Sequence, residues 1–197
     1  MSAARRTVAA AACALLAGGA TLAAQSTPAR AERGMVVAAD PLAAAAGLET
    51  LRAGGTAVDA AVTTAFVLAV TYPTAGNIGG GGFLVHRAAD GNAAAYDFRE
   101  TAPAAASPEM FLSGGDYDFA RHHDSHAAVG VPGSVAGLHR AWMDHGRLPW
   151  RRLVEPAIAL ARDGFILSHD RAASLAGVLP RMARYPASVA AFSKNGE

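Results

Sequence analysis

Residues 57–73, AVDAAVTTAFVLAVTYP, constrain the fold more than any other stretch, because they form a helix with almost no polar face. Such a helix must be covered on several sides, so it belongs between layers and not on a surface. It is too short, and too soon broken at Pro73, to cross a membrane. Thr56, with Asp59 three residues on, opens it in a near capping box. Upstream, MVVAAD reads as a short buried strand ending at Asp40. Asp40 followed by Pro41 then starts a first helix, a carboxylate N-cap before a proline whose missing N–H costs nothing there. Leu42, Ala45, Leu48 and Leu51 are expected to face inward, and Gly54-Gly55 to end that helix.

Downstream, GNIGGGGFLVHR places Gly79 to Gly82 directly before an apolar run. A phosphate loop needs Lys and a hydroxyl after its last glycine, and Phe83, Leu84 and Val85 stand there instead. A dinucleotide fingerprint needs a strand before the glycines and a helix after them, the reverse of the order found. Taken locally, the run is a flexible lead into a buried strand, with the glycines free to adopt positive φ. FLVHR and AAAYDFR make two strands joined through Asp90-Gly91, a strong hairpin signal. Residues 101–127 look irregular. Helices return from Ser134, which is expected to act as a cap, with Val135, Leu138 and Trp142 facing inward and Gly146 as the end. A further helix contains Pro156 as a kink, and Ser168 caps another that stops before Pro180.

Charge narrows the partners: 17 Lys+Arg against 16 Asp+Glu leave +1, with no basic footprint for nucleic acid. A small-molecule or peptide ligand is expected instead. Residues 1–31 have Arg5-Arg6, an apolar stretch and then small residues, the order of a secretory signal. Ala29-Arg30-Ala31 offers the cleavage site, Ala23-Ala24 an earlier one, and the paired arginines also fit a twin-arginine route. The expectation is a periplasmic or secreted protein without a permanent membrane anchor. Cys13, the single cysteine, lies in that leader, so residues 32–197 hold no disulfide, thiol nucleophile or thiolate metal site.

Several groups could carry chemistry. HHDSH, residues 122–126, is rich in metal-ligand types, but His122 and His123 point apart in a loop and no second ligand cluster appears, so a solvated loop is expected. Ser134 lacks the spacing of a nucleophile elbow. His139 and His145 are expected on the surface near a helix C-terminus. DFRE, residues 97–100, is the most informative charged group. Two readings of Arg99 stand: a surface ion-pair partner, or a clamp whose planar fork matches a carboxylate bidentately.

The phrases GGTAVDAAVTTAFVLAVTYPTAGNIGGGGFLVHR, YDFRETAPAAASPEMF, SHAAVGVPGSVAGL and EPAIALARDGF together resemble the large subunit of γ-glutamyltransferases, or glutathione hydrolases, in order from about Gly34 onward. The resemblance implies an α+β chain that forms part of an N-terminal-nucleophile hydrolase fold, a four-layer αββα sandwich when complete. Helices and one β-hairpin are the share expected here. It also implies a proenzyme that cuts itself into large and small subunits. The new N-terminal threonine of the small subunit attacks the γ-glutamyl amide, with its own α-amine as base. By the family pattern Arg99 grips the α-carboxylate of the γ-glutamyl group, as in glutathione. Gly79 to Gly82 become backbone needed for tight packing near that pocket. No cofactor and no metal is expected.

Thr56, Thr63, Thr64, Thr71 and Thr101 do not sit in the family's nucleophile motif, so the catalytic threonine is expected beyond residue 197. Residues 32–197 then correspond to the N-terminal part of the large subunit, inactive alone and needing the small subunit from the same precursor. Two other readings remain at this point: a relative on the same fold that deacylates cephalosporin-type or glutaryl amides, and a non-catalytic secreted binding protein.

Overall fold

The computed structural model describes residues 28–196. Most of the expected leader, residues 1–27, lies outside the described residues; residues 28–31, with Ala29-Arg30-Ala31, are exposed and without regular structure. The chain from Met35 onward forms one unit, to which everything below refers. No helix among the described residues is long and apolar enough to cross a membrane.

Helix α1, Pro41–Arg52, begins as the sequence implies: Asp40 Oδ1 accepts the N–H groups of Leu42 at 2.9 Å and Ala43 at 3.4 Å. Its inner face differs from expectation. Ala43, Gly47 and Thr50 are buried, while Leu42 and Ala45 are exposed. Small residues win because α1 lies close against the next helix. A Cβ on Gly47 would collide with Thr64 Oγ1 and sit 3.3 Å from the Ala60 carbonyl. The Thr50 hydroxyl lies 3.0 Å from both the Ala46 carbonyl and the Thr63 hydroxyl, so it can donate to one and accept from the other. Gly54 leaves the helix at φ +88°, a conformation open to glycine.

Helix α2, Ala57–Thr71, is the buried centre, with Val58, Val62, Phe66 and Val67 in the core. Its capping box is complete: Asp59 N–H donates to Thr56 Oγ1 at 3.1 Å, and Thr56 N–H to Asp59 Oδ2 at 2.8 Å. Leu138 and Ala141 of α4, Ser134–His145, and Leu153 and Ala157 of α5, Trp150–Asp163, complete the same core. Pro156 stands inside α5 and leaves the Arg152 carbonyl without its helical donor.

Strands β1, Phe83–Arg87, and β2, Ala93–Asp97, form the expected antiparallel hairpin, Leu84 opposite Tyr96, with Gly91 at φ +92° in the turn. Only one face is covered. Leu84, Tyr96 and Phe98 pack on the helical core, while Phe83 and Val85 point outward. Tyr96 also ties the hairpin to α4, its hydroxyl donating to Asp144 Oδ2 at 2.9 Å, beside Arg140 Nε at 3.0 Å. The Tyr96 hydrogen bond, then that of Arg140, holds the Asp144 carboxyl below the usual aspartate range. A depressed carboxyl stabilises the fold above its ordinary range and loses that contribution as pH falls through the lowered value. Tyr96→Phe removes the larger cause. The Asp144 side-chain carbon, followed by NMR, should then titrate closer to an ordinary aspartate, while an unmoved midpoint would contradict this account.

The remaining elements are two-residue strands β3, Leu112–Ser113, and β4, Asp116–Tyr117, helix α3, Phe119–His123, a 3-10 turn at His126–Ala128, and helices α6, His169–Met182, and α7, Pro186–Phe192. The architecture is α+β and helix-rich, with two small antiparallel sheets.

Several local expectations are corrected. Residues 35–38 form no strand, because no partner strand lies beside them among the described residues; Met35 and Val37 are exposed. Gly133 takes the N-cap position of α4, so Ser134 is the first helical residue and makes no capping bond. Val135 is exposed and Trp142 half-buried, the inner face being Ser134, Gly137, Leu138 and Ala141. Helix α6 is capped by Ser168 as expected but runs through Pro180 to Met182. None of Gly79 to Gly82 adopts positive φ.

Candidate active site

The end of the hairpin is built by three segments far apart in sequence. Phe98 extends the ladder one step past β2: its N–H donates to the Gly82 carbonyl at 3.0 Å, and Gly82 N–H donates back at 3.3 Å. The Gly80 carbonyl accepts N–H groups from Gly133 at 2.9 Å and Ser134 at 3.0 Å, which caps the start of α4 with backbone. Thr101 and Val131 form an isolated bridge, at 3.2 and 2.8 Å.

The glycines are present here for what they lack. A Cβ on Gly81 would lie 2.6 Å from the Phe98 carbonyl and 2.5 Å from Glu100 Oε2. One on Gly82 would lie 3.2 Å from Phe98 Cε2, one on Gly133 would strike the Phe98 carbonyl, and one on Gly137 would overlap the base of the Phe98 ring at Cγ and Cδ1. The expectation of tight packing is therefore met at Gly81 and Gly82. The partners at Gly133 and Gly137 were not anticipated. Their spacing in GVPGSVAG was the available signal.

Arg99 follows directly. Its N–H donates to Asp97 Oδ1 at 3.0 Å, and Nη2 lies 3.2 Å from Glu100 Oε1. The Arg99 side chain is 59% exposed, which matters because a guanidinium paired only with its exposed neighbour is weakly held. Glu100 is held below the usual glutamate range, first by its own backbone N–H, against partial desolvation, and then by Arg99. Both readings of Arg99 thus have a structural counterpart: an ion pair with Glu100, and a fork still open to another carboxylate.

A cavity of about 460 Å³ borders the same region, lined by Gly81, Gly82, Phe98 and Ser134 with largely apolar neighbours. A cavity of about 590 Å³ lies elsewhere, among Asp124, Arg181, Arg184 and Tyr185, and includes none of the residues around Arg99.

The other candidates have structural surroundings. His122 and His123 sit at the end of α3 rather than in a loop, and their rings are 4.4 Å apart rather than divergent. Tyr117 Oη lies 2.7 Å from His122 Nδ1 and 3.3 Å from His123 Nδ1. Asp124 pairs with Arg184 at 2.8 Å and Arg181 at 3.5 Å. Among the described residues no three His, Cys, Asp or Glu side chains are grouped to hold a metal. His139 and His145 are not surface groups. His139 packs between Trp142 and Trp150, and His145 against His86 at 4.2 Å, because α4 buries its flank under the hairpin and α5. Thr56 caps α2, Thr63, Thr64 and Thr71 are buried within it, and Thr101 sits in the bridge to Val131.

A sequence model of the family described as Gamma-glutamyltranspeptidase matches residues 43–197. A glutathione hydrolase proenzyme of Escherichia coli (strain K12) is 46% identical over 175 residues, covering 86% of this chain and 30% of that protein. This chain therefore spans less than a third of that relative's length. The crystal structure of Helicobacter pylori gamma-glutamyltranspeptidase superposes with a TM-score of 0.80 at 40% identity, over 83% of this chain and 47% of that one. A cephalosporin acylase from Bacillus halodurans also superposes, at TM-score 0.64 and 27% identity, over 81% of this chain and 31% of that one.

Proposed function

This chain belongs to the gamma-glutamyltranspeptidase family, and from that premise we propose that it supplies the large-subunit segment, residues 32–197, of an exported γ-glutamyltransferase or glutathione hydrolase. The observation that carries this reading is Arg99 at the end of the hairpin, its fork exposed and its neighbour Phe98 packed against the surrounding glycine segments. The greater identity to the Helicobacter pylori enzyme than to the cephalosporin acylase supports a γ-glutamyl over a glutaryl substrate.

In this proposal Arg99 binds the free α-carboxylate of the γ-glutamyl group and so orients the scissile amide. A threonine at the N-terminus of the small subunit attacks the γ-carbonyl carbon, and its α-amine takes the hydroxyl proton. The amide C–N bond breaks, that proton passes to the departing amine, and an ester links the glutamyl group to the threonine. Water, or the amine of an acceptor amino acid or peptide, then attacks the ester and releases the threonine. Residues 1–31 direct export.

The test is a protein of the relatives' full length carrying this segment, assayed on a γ-glutamyl anilide against a glutaryl amide. Preference for the γ-glutamyl anilide is expected. Preference for the glutaryl amide would transfer the protein to the acylase reading, and no turnover of either would favour a non-catalytic binding protein.

A further inference from the structure

The Phe98 ring occupies space that side chains on two other segments would need. A Cβ at Gly137 would overlap the base of the ring at Cγ and Cδ1, one at Gly133 would strike the Phe98 carbonyl, and one at Gly82 would stand 3.2 Å from Cε2. Gly133 and Gly137 lie at the N-cap and on the buried face of α4, while Gly82 is the last residue of the glycine run. Two backbone hydrogen bonds to Gly82 fix Phe98 in the plane of the hairpin, and the ring against α4 fixes it across that plane. Among the described residues the Arg99 guanidinium has one ion-pair partner, the exposed Glu100 carboxylate of the pair described above.

Resting on the reading of Arg99 as the α-carboxylate clamp, we propose that Phe98 is a positioning residue: seated in its glycine socket, it sets where the Arg99 fork stands relative to the substrate carboxylate. A side chain one residue along a strand points to the opposite face, so Phe98 packs inward while Arg99 projects outward. A shift of the Phe98 backbone moves the base of the Arg99 side chain with it. Bidentate pairing tolerates little displacement, because both N–H groups must meet both oxygens. The three glycines thereby acquire a role in substrate selectivity through the ring they accommodate.

The experiment uses the full-length protein and two substrates, a γ-glutamyl anilide and a 4-aminobutyryl anilide, which lacks the α-carboxylate. Phe98→Leu shortens the ring and loosens the socket. It is expected to raise KM for the γ-glutamyl anilide about tenfold with kcat changed much less, and to leave kcat/KM for the 4-aminobutyryl anilide near the parent value. Gly82→Ala added to Phe98→Leu places a methyl group 3.2 Å from where Cε2 stood, bordering the space the shorter side chain vacates, and should recover part of the lost selectivity. Equal losses on both substrates, or no change in KM, would overturn the positioning role. Arg99→Ala is run beside them to separate the failures. Selectivity lost in Arg99→Ala but retained in Phe98→Leu overturns the role of Phe98 alone; selectivity retained in both overturns the clamp itself. Should Phe98→Leu fail to fold, Gly82→Ala alone presses on the outer end of the same ring and is read by the same KM ratio.

Discussion

Asp59→Ala is expected to destabilise the fold by about 3–5 kcal/mol, the cost of removing a buried charged acceptor and orphaning its donors. Asp59 is fully buried. Its carboxylate receives the Thr56 N–H of the capping box, and also the N–H of Arg147 at 3.0 and 3.1 Å and that of Leu148 at 3.3 Å. Among the described residues no cation faces it at salt-bridge distance; the Arg147 guanidinium goes instead to the Gly54 carbonyl at 3.1 Å. Backbone donors and the positive end of α2 hold the charge. Truncation therefore leaves N–H groups on both α2 and the turn between α4 and α5 without partners. Asp59→Asn keeps the volume but offers an amide NH2 to a ring of donors, so it should lose roughly half as much. Thermal unfolding should show Asp59→Ala lowering Tm by roughly 6–20 °C. A loss below about 1 kcal/mol would mean that water replaces the carboxylate freely.

Arg99→Ala is expected to reduce kcat/KM for γ-glutamyl substrates by roughly 2–4 kcal/mol, or about 30- to 1,000-fold. The substrate's free α-carboxylate separates a γ-glutamyl amide from an ordinary side-chain amide, so a clamp on it governs both selectivity and position. Arg99→Lys keeps the charge and loses the fork; KM should rise, by less than in the alanine variant. Self-cleavage of the precursor should survive either change, because it involves no substrate carboxylate. If Arg99→Ala turns over a γ-glutamyl anilide as well as the parent does, the pair with Glu100 is all that Arg99 does.

Elements that depend on nearby residues were legible in the sequence. Asp40-Pro41, the Thr56-Asp59 box and the Asp90-Gly91 turn each place donors and acceptors within a few residues, and all three form as expected. Errors arose where a distant segment decides. The inner face of α1 follows its approach to α2, so Gly47 is buried and Leu42 is not. His145 reads as a surface group because nothing in its own helix indicates that His86 will stack on it. The four-glycine run invites a conformational explanation, yet its last two members, Gly81 and Gly82, work by omission of side chains against Phe98 and Glu100. Arg99 was legible only as a residue type at a strand end, since its use depends on what meets it.

The socket beneath Phe98 also has a consequence in time. The hairpin can pair as soon as its own residues exist, for its contacts are local and its turn is favourable. Gly133 and Gly137 come later, and the Asp59 anchor waits for Arg147, 88 residues further along the chain. Closing such long loops precedes any gain from the contacts they bring. During synthesis from the N-terminus, the strand that carries Arg99 is therefore made early but located late. Until α4 arrives, the hairpin is a correct local structure with no defined address, and a slow or failed docking of α4 would leave a protein with every expected element and a misplaced arginine.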